Sequence, residues 1–466
     1  MLNEEVIVRY YSTRDPSHYV DFRTAALTGL APDGGLYIPE EFPAYRGAVR
    51  NSLHTMSFLE IAFETIRPYV QGEIPDSVLQ DLVASAYPFT APIVPVGDRL
   101  VLELFHGPTA AFKDFGARFM ARAFSYLRRN EDKPLHILVA TSGDTGGAVA
   151  DGFFQVEGIS VTVLYPRGRV SPLQERQIAG LGGNIQALAV EGSFDDCQRL
   201  VKAAFGDRRL QQKLVLSSAN SINVARLIPQ AVYYAAGAGR LWGGHYDTDG
   251  AATPRLEGKA EEQRVVKKGI PQGSRVIFCV PSGNFGNLTA GLYAMEMGAP
   301  IQGFIAATNI NKTIPEYLEN GVYTPRTSVA TISNAMDVGA PSNFERMKAH
   351  WSYEALRSRI QGVWVTDEAT RETIQEVKKQ HGYVLDPHGA VGWRAVDHLL
   401  RDKKLRVEEE PLAVLATAHP AKFSEVVEDL VGPVPLPEAL QKALERPVLS
   451  QVIPADLDAL VSVLLK

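Results

Sequence analysis

Residues 135–156, LHILVATSGDTGGAVADGFFQV, decide the fold. The first six side chains are largely apolar and do not alternate, the pattern of a strand buried on both faces. The turn TSGDTGG then interrupts the extended chain, and AVADGFFQV resumes at helical spacing. A strand, a glycine-rich loop and a helix in immediate succession make half of a βαβ unit. The unit recurs. Residues 159–165 read as a strand before a helix over 172–181, and 185–190 as a strand before a helix opened by Ser193 and Asp196 at capping-box spacing. Residues 214–217 lead through SANS into NVARLIPQAVYYAAGA, 275–280 through PSGNFGN into LTAGLYAMEMG, and 412–416 into TAHPAKF. The expected fold is α/β, with two doubly wound open-sheet lobes whose ligands lie at the carboxyl ends of strands near a topological switch point.

A chain of 466 residues exceeds what one core usually supports, so more than one domain is expected. Residues 1–95 lack the strand, loop and helix rhythm and read as an additional amino-terminal unit, in which residues 57–69 carry helical spacing. Residues 96–236 form the first α/β lobe and 270–466 the second. Between them, 237–269 is glycine-rich, then charge-rich, and has no apolar period. It reads as an exposed insertion open to disorder, and less readily as a partner-docking loop. The 47 basic and 53 acidic residues leave a net charge of −6 without a basic run, which argues against nucleic acid as a partner. Cys197 and Cys279 stand far apart, so neither a disulfide framework nor a cysteine zinc site is expected. The opening residues carry acidic groups early and no apolar leader, and no apolar run is long enough for a membrane. A cytoplasmic protein without a membrane partner is the expectation.

Four loops carry candidate chemistry. In HGPTAAFKD (residues 106–114), Lys113 lies among small and apolar residues, where desolvation lowers the pKa of an amine and prepares it for Schiff-base formation. Taken singly, it reads more plainly as a solvated lysine. SGNFGN (Ser282, Gly283, Asn284, Phe285, Gly286, Asn287) joins a strand to a helix, so its amides and the helix amino terminus can converge on a phosphate, although it equally suits a tight turn. It is neither a P-loop nor a dinucleotide fingerprint. TSGDTGG offers Ser142, Thr145 and glycine amides to an anion, or a helix cap from Ser142, Asp144 or Thr145. NSINVAR brings Asn220 and Ser221 within two helical turns of Arg226, which in isolation reads more plainly as a surface arginine. His106, His388 and His419 have no metal-ligand spacing, and no metal is expected.

Taken in order, STR (12–14), GLAPDGGLYIP (29–39), HGPTAAFKD, ATSGDTG, SSANSINVAR, PSGNFGN, AATNINKT (306–313), SNAMDVGAPSNFER (333–346), LDPHGAVG (385–392) and TAHPAKF (417–423) resemble the threonine synthases. These lie within the fold type II pyridoxal-phosphate enzymes related to the tryptophan synthase β subunit. The resemblance spans nearly the whole chain. It implies that Lys113 forms the Schiff base with pyridoxal 5'-phosphate, that residues 282–287 hold the cofactor phosphate and that Thr417 faces the pyridine nitrogen. It further implies that Ser142, Thr145, Asn220, Ser221 and Arg226 bind the carboxylate and phosphate of O-phospho-L-homoserine, without deciding which takes which. The implied reaction is conversion of that substrate and water to L-threonine and phosphate, with Lys113 moving the protons. Two alternatives keep the same loops: a related phospho-lyase releasing 2-oxobutyrate, and a non-catalytic cofactor-binding protein. Two features depart from the family pattern: Asn287, where long-form relatives often carry Asp, and the length of the 237–269 stretch.

Overall fold

The computed structural model describes residues 7–141, 143–246, 270–404 and 411–466. Three sheets organise them. The first is small and antiparallel, in the order Tyr19–Val20, Tyr10–Ser12, Tyr37–Pro39. The second runs Ile360–Trp364, Ile301–Thr308, Val276–Pro281, Leu412–Ala416, Arg99–Glu103, Ile93–Val96, parallel except for its last pair. The third runs Gln451–Pro454, Ile185–Glu191, Ile159–Pro166, Leu135–Ala140, Val215–Ser218, parallel throughout. The architecture is α/β, with two largely parallel open sheets, as the strand, loop and helix units of the sequence lead one to expect.

Sheet burial explains the unbroken apolar strands. In the second sheet, Leu100, Leu102, Phe278, Val280, Ala413 and Leu415 enter one core, while Val101, Cys279, Val414 and Ala416 enter another. In the third, Ile137, Val139, Val161 and Val163 join the first of these cores, and Leu138, Leu164, Leu188 and Val190 form a third. With apolar side chains needed on both faces, polar alternation disappears. Among the described residues, no helix is long and apolar enough to cross a membrane.

Strand order locates the site. In the second sheet, Val276–Pro281 has its chain successor Ile301–Thr308 on one side and Leu412–Ala416 on the other. In the third, Leu135–Ala140 has Ile159–Pro166 on one side and Val215–Ser218 on the other. Each is a switch point, where loops leave neighbouring strand ends in opposite directions and open a crevice. The SGNFGN loop and Thr417 leave the first pair of strands; TSGDTGG and Asn220 leave the second.

Sheet pairing corrects the expected boundaries. Arg99–Glu103, placed with residues 96–236 by its position in the chain, pairs with Leu412–Ala416 in the second sheet, and Ile93–Val96, from the expected amino-terminal unit, flanks it. Gln451–Pro454, placed with residues 270–466, pairs with Ile185–Glu191 in the third. Both are non-local pairings that local patterning does not encode. The expected insertion also begins later than residue 237, because Ala231–Trp242 is one helix. Gly239 serves close packing: a Cβ there would come within 2.8 Å of the Leu53 carbonyl oxygen. Residues 247–269 of that stretch lie outside the described residues. The flanks meet, with the Gly273 amide donating to the Trp242 carbonyl at 2.8 Å. Upstream, NVARLIPQAVYYAAGA is not one regular helix. Val224–Leu227 gives way to a 3₁₀ turn, Ile228–Gln230, before Ala231–Trp242, as expected where Pro229 lacks an N–H and crowds the preceding turn.

Candidate active site

Lys113 opens the helix Lys113–Leu127. The preceding residues are pinned against the end of the Leu412–Ala416 strand. The Phe112 amide donates to the Thr417 carbonyl at 2.9 Å, the His419 amide to the Ala110 carbonyl at 3.0 Å, and Ala111 bridges Ala418. Ala110 adopts a left-handed φ of 54°, which turns the chain sharply before the lysine. Lys113 and Thr417 therefore line one cavity of about 920 Å³, and their placement follows from backbone bonds rather than side-chain chance.

The cavity desolvates the amine. Burial draws Lys113 down to about 8, opposed by Asp144 and assisted by Lys422 and Arg226. Its Nζ lies 3.9 Å from Asp144 Oδ2, and Asp144 Oδ1 lies 2.9 Å from the Nζ of Lys422. Burial alone would raise Asp144, yet Lys422 and Lys113 hold it well below the usual carboxylate range. Arg226 is buried, not a surface residue, and burial pulls its guanidinium down to about 10. One Nη bonds the Ala219 carbonyl, while the buried Nε has no partner among the described residues. A buried, unpartnered cationic donor on a cavity wall is a site for an anion.

The SGNFGN loop is shaped by its own side chains. The Ser282 hydroxyl donates to Asn287 Oδ1 at 2.9 Å, and Asn287 Nδ2 donates to the Pro281 carbonyl at 2.9 Å. Phe285 takes a left-handed φ of 59° as N-cap of Gly286–Glu296. No protein acceptor is assigned to the amides of Gly283 through Asn287 among the described residues. Unused amides at the start of an eleven-residue helix, with no side chain of their own to cap them, fit a phosphate group. With the desolvated lysine, this donor set fits pyridoxal phosphate.

Of the remaining expected residues, Thr145, Asn220 and Ser221 line the same cavity, and Ser142 lies outside the described residues. Helix capping does not occupy Asp144 or Thr145. The Thr141 hydroxyl instead accepts from the Gly143 and Gly146 amides, at 3.0 and 2.8 Å. Ser221 Oγ accepts from Asn284 Nδ2 at 2.6 Å, which ties the two anion loops together and leaves its own O–H to donate.

Sequence reasoning missed four cavity or near-cavity groups. Asp144 was visible only as a possible cap, and Lys422 only as part of TAHPAKF. Asp386 and His388 form a pair at 2.6 Å; because His388 Nε2 accepts from the Ala335 amide at 3.2 Å, Nδ1 carries the proton toward Asp386. Each had a signal in a quoted motif, but none had a spacing that announced its partner. Among the described residues, no group of His, Cys, Asp or Glu side chains could hold a metal ion.

The family model described as "Pyridoxal-phosphate dependent enzyme" matches residues 98–417, a range that contains Lys113 and both switch-point loops, so the chain is a pyridoxal-phosphate-dependent enzyme. Two further models, "Threonine synthase N terminus" and "Threonine synthase, C-terminal", match residues 9–87 and 389–464. Threonine synthase of Escherichia coli (strain K12) is 41% identical over 458 residues, covering 97% of this chain and 98% of that protein. The crystal structure of pyridoxal-phosphate-bound threonine synthase from Brucella melitensis is 36% identical with a TM-score of 0.84, covering 98% of each chain. That of yeast threonine synthase is 33% identical with a TM-score of 0.84, covering 99% of this chain and 98% of the other. The chain belongs to the threonine synthase family.

Proposed function

We propose that this protein is a carbon–oxygen lyase that converts O-phospho-L-homoserine and water to L-threonine and phosphate with pyridoxal 5'-phosphate as cofactor. One observation carries the reading: the desolvated Lys113 amine shares a single cavity with two separate sets of anion donors, one at each switch point. A phosphorylated cofactor and a phosphorylated amino acid need two such sets.

The amides of Gly283, Asn284, Phe285, Gly286 and Asn287 hold the cofactor phosphate, with Ser282 and Asn287 keeping the loop in shape. Thr417 spends its carbonyl on Phe112, and its hydroxyl would serve the cofactor ring. When bound, the cofactor supplies an electron sink for the carbanion left as a proton leaves the carbon beside the amine. A hydroxyl partner, unlike a carboxylate, would not enforce a protonated ring nitrogen. Lys113 Nζ takes and returns the protons, which an amine near neutrality does well. Arg226 Nε and the hydroxyls of Ser221 and Thr145 bind the substrate's anionic groups, together with Asn220 and Ser142. We place the activity in the cytoplasm, consistent with the buried free thiols Cys197 and Cys279.

Product analysis tests the reading. Cofactor-loaded protein mixed with O-phospho-L-homoserine should release threonine and phosphate in equal amounts. Phosphate accompanied by 2-oxobutyrate would make it a phospho-lyase, and a bound cofactor without any product would overturn the enzymatic reading.

A further inference from the structure

Lys422 is fully buried, with 0% side-chain exposure, and no step above uses it. Its Nζ lies 2.9 Å from Asp144 Oδ1 and donates to the Thr109 carbonyl at 2.7 Å. Gln174 Nε2 donates to the same Oδ1 at 3.1 Å. The second oxygen, Oδ2, faces Lys113 Nζ at 3.9 Å. One buried carboxylate thus stands between two amino groups, held closely by the one that does not line the cavity. A carboxylate so placed without Lys422 would be an uncompensated buried charge, and its nearest remedy would be the Lys113 ammonium. Lys113, however, has to be a neutral amine whenever it takes a proton.

We propose that Lys422 is a positioning residue that acts through Asp144: by engaging Oδ1 it lets Oδ2 orient Lys113 Nζ without fixing that group as an ammonium. The proposal rests on the reading of Lys113 as the cofactor-binding and proton-moving amine. Other charged groups face this pair. Arg226, from the turn after Asn223, disfavours the Lys113 ammonium, and Asp386, at the start of Pro387–Arg401, favours it. His388, paired with Asp386, faces Asp144. None of these groups makes a hydrogen bond to either oxygen of Asp144 among the described residues, so the division of its two oxygens depends on Lys422 and Gln174.

The test measures the proton affinity of Lys113 itself. Full-length, cofactor-free protein is labelled with trace acetic anhydride across a pH series, and the Lys113 peptide is quantified by mass spectrometry. Lys422→Met should raise the labelling midpoint by about one pH unit, tenfold in proton affinity, because Asp144 is left with Lys113 as its only close cation. Asp144→Asn should lower it by a similar factor. The opposite signs separate this arrangement from general damage to the site. A Lys422→Met midpoint that is unchanged or lower overturns the proposal, as does an Asp144→Asn midpoint that is unchanged or higher. Should the Met variant not fold, the near-isosteric Asn variant decides alone. Reloading wild type and Lys113→Ala with pyridoxal phosphate provides the separate control. A visible absorption band retained by Lys113→Ala would overturn the assignment of Lys113, whereas a band lost only there, with unmoved midpoints, would overturn the role of Lys422 alone.

Discussion

Replacing Arg226 with alanine isolates the substrate's anion site from the cofactor's. The guanidinium is buried, its Nη is tied to the Ala219 carbonyl, and its Nε is unpartnered on the cavity side of the molecule. What the variant removes is therefore one charge-assisted hydrogen bond to an incoming anion. Such a bond contributes roughly 1.5–3 kcal/mol. At about 1.4 kcal/mol per factor of ten, kcat/KM for O-phospho-L-homoserine should fall roughly 10- to 150-fold. A second effect follows from charge. Arg226 is one of the cations that disfavour the Lys113 ammonium, so its loss lets Lys113 rise above about 8 and moves to higher pH the ascending limb of the kcat profile, which reports the substrate complex, where Lys113 is a free amine. The cofactor's visible spectrum should stay near that of wild type, because the amides assigned to its phosphate belong to residues 283–287. Steady-state kinetics over a pH series, with the spectrum recorded on the same samples, checks all three points. Loss of cofactor with unchanged substrate affinity would refute the assignment and move Arg226 to the cofactor's side of the cavity.

Further outcomes follow from single contacts. Lys113→Ala should lose both turnover and the visible band of the bound cofactor, measured by product assay and absorption; residual turnover at wild-type rate would remove the central claim. Gly283→Ala places a Cβ 2.6 Å from the Ala335 carbonyl oxygen and 2.8 Å from Met336 Cα, an overpacking cost of about 1–3 kcal/mol; cofactor titration should show weakened binding with the overall fold retained. Acid should destabilise the protein through His136, which burial holds down to about 4. Because its folded pKa lies below the unfolded value near 6.5, its contribution is present above that pH and is lost progressively toward pH 4, by up to about 3 kcal/mol. Urea unfolding of His136→Gln should show a shallower loss of stability than wild type between about pH 6.5 and 4.

The sequence showed units more clearly than their assembly. Leu412–Ala416 falls on the expected residues, and Ser193 with Asp196 forms the expected capping box, because both depend on neighbours in the chain. Arg99–Glu103 and Gln451–Pro454 pair outside the lobes in which the residue ranges 96–236 and 270–466 placed them, since their partners lie hundreds of residues away. The site divides in the same manner. Lys113, Ser282–Asn287 and Arg226 belong to short motifs with recognisable chemistry. Lys422 looked like any lysine, because its meaning depends on Asp144 across the fold. Arg226 reads as a surface residue from its helix alone; only packing puts it inside. Gly239 mimics a loop residue for a related reason, since the Leu53 backbone it packs against appears only in three dimensions.

The amino-terminal unit is wired into this site rather than appended to it. Arg346 is fully buried and donates to the Tyr37 carbonyl at 3.0 Å, to Asn343 Oδ1 at 2.6 Å and to the Ile222 carbonyl. Asn343 in turn donates to the Ser221 carbonyl at 3.3 Å, and Asn284 links the Ser221 hydroxyl to the Ser342 amide. From the other side, Asn223 donates to the Ala26 carbonyl at 2.8 Å. Thus one strand and one helix of the amino-terminal unit hold both ends of the Asn220–Asn223 loop, and that loop holds the SGNFGN turn. Backbone carbonyls accept four of these seven bonds, so the wiring constrains main-chain position and leaves the Ser221 O–H and Arg226 Nε for ligand. An anion site built from neutral donors and one cation works only if those donors stay fixed when the anion arrives, because reorganising them would consume the binding they supply. A unit that touches no ligand can therefore govern substrate affinity, by fixing loops whose own sequences are too short and polar to fix themselves.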